Sequence, residues 1–280
     1  MSEVLHSCHE RASAQEETDI QGRFPLRIRP HLNPLSNSQR LFHKPRHSDD
    51  DQERFVKSLV SIKKYQTDSD RFSRRFLDLG CGFGGAIFEL ARATFGVKEK
   101  MDILFVGLEI RPACTEYSLK KRSKNKSALI EDSVHFINCN VMRDLARVIR
   151  GQSVEKIFVT YPDPHFKARN VRRRLLNSAM IPLLAYVLKR SYASQGTINA
   201  DENGMLYLVT DVDDLMKWMI AQLEEFPGLF AMVDEGVVLP SFDDATAEEK
   251  QKVIDNLSEK DLLLPKLVFS SEDAQRCARR

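Results

Sequence analysis

The sequence lacks several features that would assign a protein to a class at once. It has no apolar run of about 18 residues, the length of a membrane-spanning helix, and no hydrophobic stretch near its N-terminus that would predict a secretory signal. Its five cysteines are odd in number, and no two have metal-ligand spacing. We therefore expect a reduced, intracellular protein with no membrane association and no metal site.

The net charge is also small, at +2 for 280 residues, so it does not indicate whether the protein binds nucleic acid. The distribution of charge is more informative, because one basic run lies at 120–126 and a second at 167–174. Runs of like charge are usually solvated faces. These two lie close to the most motif-like segments, which favours an anionic polymer as substrate.

Composition divides the chain into three predicted regions. Residues 1–22 are polar and lack periodicity, which predicts a disordered tail. Residues 23–47 combine arginines with four prolines, which predicts an extended basic arm. Residues 48–280 form the main domain, with a loop insertion at 193–203, and the overall hydrophobic content of 42% is enough for a sizeable core.

From residue 75 onwards, short apolar runs alternate with amphipathic stretches. Strands separated by helices of this length predict an α/β fold with a doubly wound, mostly parallel sheet. The predicted strands are 76–79, 103–108, 134–139, 154–160 and 205–210, with a further strand near 265–269; the predicted helices are 49–65, 86–95, 112–122, 142–149, 172–189, 213–226 and one near 245–257.

A glycine loop follows the first predicted strand and precedes a helix. Gly80, Gly82 and Gly85 fit the G-x-G-x-x-G spacing, in which glycines allow a tight turn and a close approach of the backbone to a ligand. Glu109 ends the next strand, where a carboxylate can accept hydrogen bonds from ribose hydroxyls. A nicotinamide enzyme and a nucleoside-cofactor methyltransferase fit these features equally well.

Asp78 favours the second alternative. It lies two residues before the first glycine, where it would repel a pyrophosphate but suit the ammonium and sulfonium groups of S-adenosylmethionine. The end of the third strand, at 138–141, can offer an amide to an adenine edge. We therefore predict the Rossmann-like fold of class I S-adenosylmethionine-dependent methyltransferases.

A second motif follows the fourth predicted strand. Pro162 and Pro164 flank Asp163, and each proline restricts its own φ and the residue before it. The pattern predicts a stiff loop that carries a carboxylate where open α/β sheets bind ligands. A helix-capping role for Asp163 and a packing role for the adjacent His165 are the plainer alternatives.

These motifs together resemble the tRNA (guanine-N7)-methyltransferase family, and the second is closer to its eukaryotic branch. The segments that carry the resemblance are 80–85 (GCGFGG), 107–111 (GLEIR), 162–167 (PDPHFK), Thr210-Asp211 and 29–34 (RPHLNP). It covers about residues 27–255.

The resemblance implies a role for each matching residue. Asp163 would be the acid in the guanine site. The expected cofactor contacts are Gly80, Gly82, Glu109, Ile110, Arg111, Asn140, Val141, Thr246 and Glu249. Asp78, whose position before the glycines already indicates a cofactor role, would lie with them. RNA contacts are expected from Arg29, His31, His165, Lys167, Arg169, Arg172, Arg173 and Arg174.

The resemblance also implies a tRNA substrate methylated in its variable loop, a β-propeller (WD-repeat) partner subunit that is not catalytic, and a location in the nucleus and also the cytoplasm. Two other functions stay open at this point. One is a methyltransferase that acts on another RNA, a small molecule or a protein, and the other is an RNA-binding subunit without catalytic activity.

Overall fold

The computed structural model describes residues 32–36, 49–95, 102–125, 127–190, 203–233, 246–261, 263 and 265. The predicted tail, most of the arm, nearly all of the insertion and residues 266–269 of the last predicted strand lie outside this part of the chain. The domain boundaries therefore stay predictions. In the described residues no helix is long and apolar enough to cross a membrane.

Strands and helices alternate along the described chain, as predicted. The strands are β1 (Arg74–Leu79), β2 (Ile103–Glu109), β3 (Val134–Asn138), β4 (Lys156–Thr160) and β5 (Met205–Val209). The α-helices are α1 (Asp49–Ser69), α2 (Gly85–Phe95), α3 (Pro112–Ser123), α4 (Ala128–Ser133), α5 (Val141–Val148), α6 (Ile181–Val187), α7 (Asp213–Glu224) and α8 (Ala247–Lys260), and a 3-10 helix covers Ala168–Arg173.

The five strands form one parallel sheet in the order β3-β2-β1-β4-β5. The chain therefore builds outward from β1 in one direction, and then returns to the middle and builds outward in the other. This is the doubly wound topology that the sequence predicts, and its switch point lies between β1 and β4.

Helices pack on both faces of the sheet, and side chains alternate between the two faces along each strand. Leu77 and Leu79 pack with helices α1, α5, α6 and α7 on one face. On the other face Phe76 meets Phe105 and Phe158 edge-on, at centroid distances of 5.5 and 6.1 Å, over helices α2 and α4. The sheet is thus the rigid middle layer on which the loops are mounted.

The observed helices differ from the predicted ones in two places. The long helix predicted at 172–189 is instead the 3-10 helix, a turn and α6. Asn177 accounts for the break, because its side-chain oxygen accepts from Ala179 N at 3.0 Å and its carbonyl from Met180 N at 2.8 Å. Pro182 then occupies the first turn of α6, where its missing N–H costs nothing. The short helix α4 was not predicted.

Candidate active site

The carboxyl ends of β1 and β4 hold the two sequence motifs. These strands are hydrogen-bonded neighbours, with Asp78 of β1 in register with Phe158 of β4. The loop after β1 leads towards β2 and the loop after β4 leads towards β5, so the two loops diverge at the switch point. Open α/β sheets bind ligands in the crevice that forms there.

The loop after β1 has the backbone of a ligand cradle. Gly80, Gly82 and Gly84 have φ values of 77°, 54° and 75°, a region that other residues adopt at a cost. The loop is fixed to β2, because Gly80 N and Cys81 N both donate to Leu108 O, at 2.8 and 3.1 Å. A Cβ atom added at Gly80 would meet nothing within 4 Å, so the space before the loop is open to a ligand.

Glu109 ties this loop to the end of β2. Its buried carboxylate accepts from Gly82 N at 3.0 Å, from Arg111 N at 2.8 Å and from the Arg111 guanidinium at 3.0 and 3.3 Å. The sequence predicts ribose hydroxyls as partners of this carboxylate. The structure gives it backbone and guanidinium partners, so sugar contacts would require the Arg111 side chain to move.

The electrostatics of the cradle favour a cationic ligand. Asp78 is only 1% exposed and Glu109 2%. The pKa of the Cys81 thiol is raised well above its usual value, first by burial and then by the negative charges of Asp78 and Glu109. A buried carboxylate such as Asp78 attracts ammonium and sulfonium groups and repels a pyrophosphate, as the sequence predicts, whereas the charge of Glu109 is offset by Arg111.

The end of β3 forms a third wall. Asn138 Nδ2 donates to Glu109 O at 2.8 Å. Asn140 caps α5, because its Oδ1 accepts from Met142 N at 3.2 Å, and its Nδ2 donates to Pro34 O at 2.6 Å. Buried Val141 is the first residue of α5. The side chains of Asn138 and Asn140 are thus already hydrogen-bonded to neighbouring backbone groups. The amide predicted to meet an adenine edge would be in this same segment.

Pro34 and Leu35 of the predicted arm contact this wall. Besides the bond from Asn140 to Pro34, the Arg143 guanidinium donates to Leu35 O. Pro34 and Leu35 therefore rest on the N-terminus of α5, beside the predicted cofactor contacts. Arg29 and His31, the two arm residues predicted to contact RNA, lie outside the described residues.

The loop after β4 is held in an unusual conformation. Tyr161 and His165 have φ values of 48° and 43°, which cost a non-glycine residue about 1–2 kcal/mol each. Asp163 Oδ1 accepts from His165 N at 3.1 Å, and Oδ2 lies 3.6 Å from His165 Nδ1. The Asp163 side chain is 30% exposed, so it is partly shielded by the loop but still accessible to a ligand.

Arg174 supports this loop from behind. Its Nε donates to Pro164 O at 2.8 Å, and its guanidinium carbon lies 4.7 Å from the centroid of the Trp218 ring in α7. The sequence predicts Arg174 as an RNA contact. In the structure its guanidinium is used inside the protein, and the supporting role of Trp218 was not predicted.

The other predicted RNA contacts differ in exposure. Lys167, Arg169 and Arg172 are exposed, whereas Arg173 is half-buried and its Nε has no hydrogen-bond partner among the residues that the structure describes. The His165 side chain is only 9% exposed and lies beside Asp163. The exposed members form a cationic rim next to the loop.

The remaining predicted cofactor contacts have less structural context. Ile110 and Arg111 connect β2 to α3, next to Glu109. Thr246 is exposed and directly precedes α8. Glu249 lies in the first turn of α8, and its side chain is outside the described residues. Their roles stay predictions. Within the described chain no cluster of His, Cys, Asp and Glu could hold a metal ion.

A cavity of about 560 Å³ lies at the opposite, amino end of the sheet. Its lining includes Arg75 at the start of β1, Arg150, Tyr186 and Lys189, and none of the predicted site residues. The motifs, the buried acids and the strained loop all lie at the carboxyl end, and we place the candidate site there.

Comparison with known proteins identifies the family. Residues 73–260 match the family described as "Putative methyltransferase". A tRNA (guanine-N(7)-)-methyltransferase of Arabidopsis thaliana is 30% identical over 82% of this chain and 85% of its own length. Proteins of the same name from Oryza sativa subsp. indica (31%; 84% and 88%) and Anopheles gambiae (31%; 73% and 71%) are also similar.

Solved structures are more distant. The crystal structure of the aminoglycoside resistance methyltransferase NpmB1 is 14% identical over 77% of this chain and 89% of its own, with a TM-score of 0.39. A score this low supports no argument about fold or function, and the assignment depends on the sequence relatives and on the sheet topology.

Proposed function

The chain belongs to the family of tRNA (guanine-N7)-methyltransferases, as the sequence motifs predicted, and we propose that it transfers the methyl group of S-adenosylmethionine to N7 of a guanine in tRNA. One observation carries the proposal from the structure. The acidic glycine cradle after β1 and the stiff Asp163 loop after β4 are mounted on two adjacent strands at the switch point of the sheet.

The cradle residues fit the cofactor. Bound S-adenosylmethionine supplies an activated methyl group on a cationic sulfur. Gly80 and Gly82 would let the backbone approach it, and the buried Asp78 carboxylate would attract its positive end. Glu109 would hold the loop in shape through Gly82 N, and would reach the ribose once Arg111 moves aside.

Guanine N7 requires no general base, because it is an sp² lone pair that carries no proton. Catalysis is then mainly positioning of the nucleophile in line with the methyl group and the sulfur. The guanine becomes cationic as the methyl group arrives, and a fixed carboxylate beside it stabilises that developing charge. Asp163 would do this, and would also accept from the guanine N1–H and amino group to orient the base.

The substrate must present its guanine outside a regular helix. In A-form RNA the N7 edge faces a deep, narrow groove that side chains cannot read. The target therefore lies in a loop or is flipped out of the stack. The exposed Lys167, Arg169 and Arg172 would neutralise phosphates around it, which makes affinity fall steeply with salt.

The decisive test uses Asp163→Ala and Asp163→Asn in a methyl-transfer assay with radiolabelled cofactor and total tRNA, followed by nucleoside analysis. Wild-type protein should form 7-methylguanosine. Both variants should lose about 100-fold to 1,000-fold in kcat, the effect of removing one preorganised electrostatic group. Cofactor affinity by calorimetry should change by no more than about a few-fold, since Asp163 would act on the base.

Asp163→Asn is the matched control for shape, since it keeps the side-chain volume and the hydrogen-bond acceptor. If it retained wild-type kcat, the charge of Asp163 would have no role. Abolished cofactor binding in either variant would instead assign the residue to the cofactor site. Methylation of small molecules or proteins, and not of tRNA, would contradict the substrate assignment.

The variable loop as target, a β-propeller (WD-repeat) partner and a location in nucleus and cytoplasm are parts of the same proposal that only the family resemblance supports. Co-expression with a propeller subunit should raise tRNA methylation above that of the chain alone. Mapping 7-methylguanosine along purified tRNAs would identify the loop, and fluorescence imaging of the tagged chain would identify the compartment.

A further inference from the structure

Phe166 directly follows the Asp163 loop and is 76% exposed. No other large apolar side chain in the described part of the chain has a greater exposed fraction. Single exposed apolar residues are common on protein surfaces, so exposure alone assigns no role. Three features of its surroundings do.

The first feature is rigidity. His165, the residue before Phe166, has a positive φ of 43°, and Tyr161 on the other side of the loop has one of 48°. Such residues persist only where the surroundings determine the conformation. The bond from Arg174 Nε to Pro164 O provides part of that support. The backbone therefore holds Phe166 in a defined position, which lowers the entropy cost of ordering this residue in a complex.

The second feature is charge. Lys167 directly follows Phe166, and Arg169 and Arg172 are exposed on the 3-10 helix that comes next. An exposed aromatic ring beside a cationic rim is the combination with which proteins bind single-stranded nucleic acid: cations follow the phosphates and bases stack on the ring.

The third feature is depth. The Asp163 side chain is 30% exposed, whereas Phe166 is 76% exposed. A guanine that reaches Asp163 would therefore be more enclosed by protein than a base in contact with the Phe166 ring, which stays open to solvent. The ring is therefore placed for the nucleotide that adjoins the target.

We propose that Phe166 stacks on the base next to the target guanine and keeps the strand open while that guanine occupies the site. The proposal rests on the proposed function. It adds a positioning residue that reads no base identity, because every base offers a π-face.

The test compares Phe166→Ala, Phe166→Leu and Phe166→Trp in single-turnover methyl transfer and in tRNA binding. Leucine is the matched control, since it keeps an apolar side chain but removes the π-face. Alanine should weaken tRNA affinity about fivefold to 100-fold, the range expected for one stacked base. Leucine should resemble alanine, tryptophan should resemble wild type, and cofactor affinity should be unchanged throughout.

Two further readouts separate stacking from general damage. An RNA with 2-aminopurine on either side of the guanine should change fluorescence on binding wild type, and not on binding Phe166→Ala. The slope of log affinity against log salt should be unchanged in Phe166→Ala but reduced by about 1 in Lys167→Ala, since only the second would remove a phosphate contact.

Wild-type behaviour of Phe166→Leu would overturn the proposal, as would an alanine variant that loses only its binding to a propeller subunit. Failure of the proposed function looks different, because the wild-type protein itself would then not methylate tRNA. An active wild type with an equally active Phe166→Ala would refute the stacking role alone.

Discussion

Replacing His135 tests how strongly one buried, uncharged histidine makes the stability of the fold depend on pH. This residue lies in β3 with a side chain only 5% exposed, and its Nε2 is 3.5 Å from Asp68 Oδ2 of α1. Its pKa is lowered from 6.5 to about 4, first by burial and then by the nearby Arg122; Asp68 raises it, but by less. The folded protein therefore keeps His135 neutral over a pH range in which the unfolded chain protonates it.

The sign and the size follow from linkage between protonation and folding. A base with a lowered folded pKa contributes stability that is complete above its unfolded pKa and is lost as pH falls towards its folded pKa. For His135 that window runs from pH 6.5 to about 4. At 1.36 kcal/mol for each pKa unit, the free energy of unfolding falls by about 3 kcal/mol across the window. About 2 kcal/mol of this is lost between pH 8 and 5.

Urea unfolding at pH 8, 6.5 and 5, followed through the single tryptophan, measures this loss. His135→Gln should lose about 2 kcal/mol less than wild type between pH 8 and 5. Arg122→Gln should also lose less, because removing that cation raises the pKa of His135. Asp68→Asn should lose no less than wild type. An unchanged pH dependence in His135→Gln would refute the reasoning.

Three further predictions test the site and its supports. Gly84→Ala should lower the free energy of unfolding by at least about 2 kcal/mol, because its Cβ would lie 2.5 Å from the Phe136 ring. The Cβ of Gly80→Ala would meet nothing within 4 Å, so this variant should lose less stability in thermal unfolding but more cofactor affinity, measured by calorimetry. Asp261→Ala should lower the free energy of unfolding, measured with urea, by about 3 kcal/mol, because it leaves the mostly buried Lys156 without its carboxylate partner. An unchanged urea concentration at the unfolding midpoint would contradict this. Arg174→Lys keeps the charge but loses the bond to Pro164 O and the contact with Trp218, so single-turnover methyl transfer should fall by up to about 100-fold while the salt dependence of tRNA binding stays the same.

Much of the fold could be predicted because its signals are local. Glycine spacing, the apolar run before Glu109 and the paired prolines around Asp163 each lie within about ten residues, and each marks a strand end. The helix predicted at 172–189 failed for a local reason as well. Its apolar and basic residues suit a helix, but Asn177 forms a turn that competes with helical hydrogen bonding.

Contacts between distant parts of the chain could not be predicted. Asn140 caps its own helix, as its residue type suggests, but its other partner, Pro34, is 106 residues away. The Arg174 guanidinium meets Trp218 of α7 across the fold, and nothing in the basic run distinguishes Arg174 from the exposed Arg172. Sequence periodicity assigns a residue to an element and does not identify its tertiary neighbours.

Charge is segregated across the switch point, and this arrangement suits the proposed chemistry. On the β1–β2 side Asp78 and Glu109 are buried, and Glu109 is paired with Arg111, so the Asp78 carboxylate would favour a cationic methyl donor. On the β4 side the exposed Lys167, Arg169 and Arg172 would favour phosphates. Methyl transfer carries positive charge from the first side to the second. Asp163 precedes this cationic rim in the loop after β4, so its carboxylate would stabilise the positive charge that the guanine acquires on the side where the other charged groups are cations.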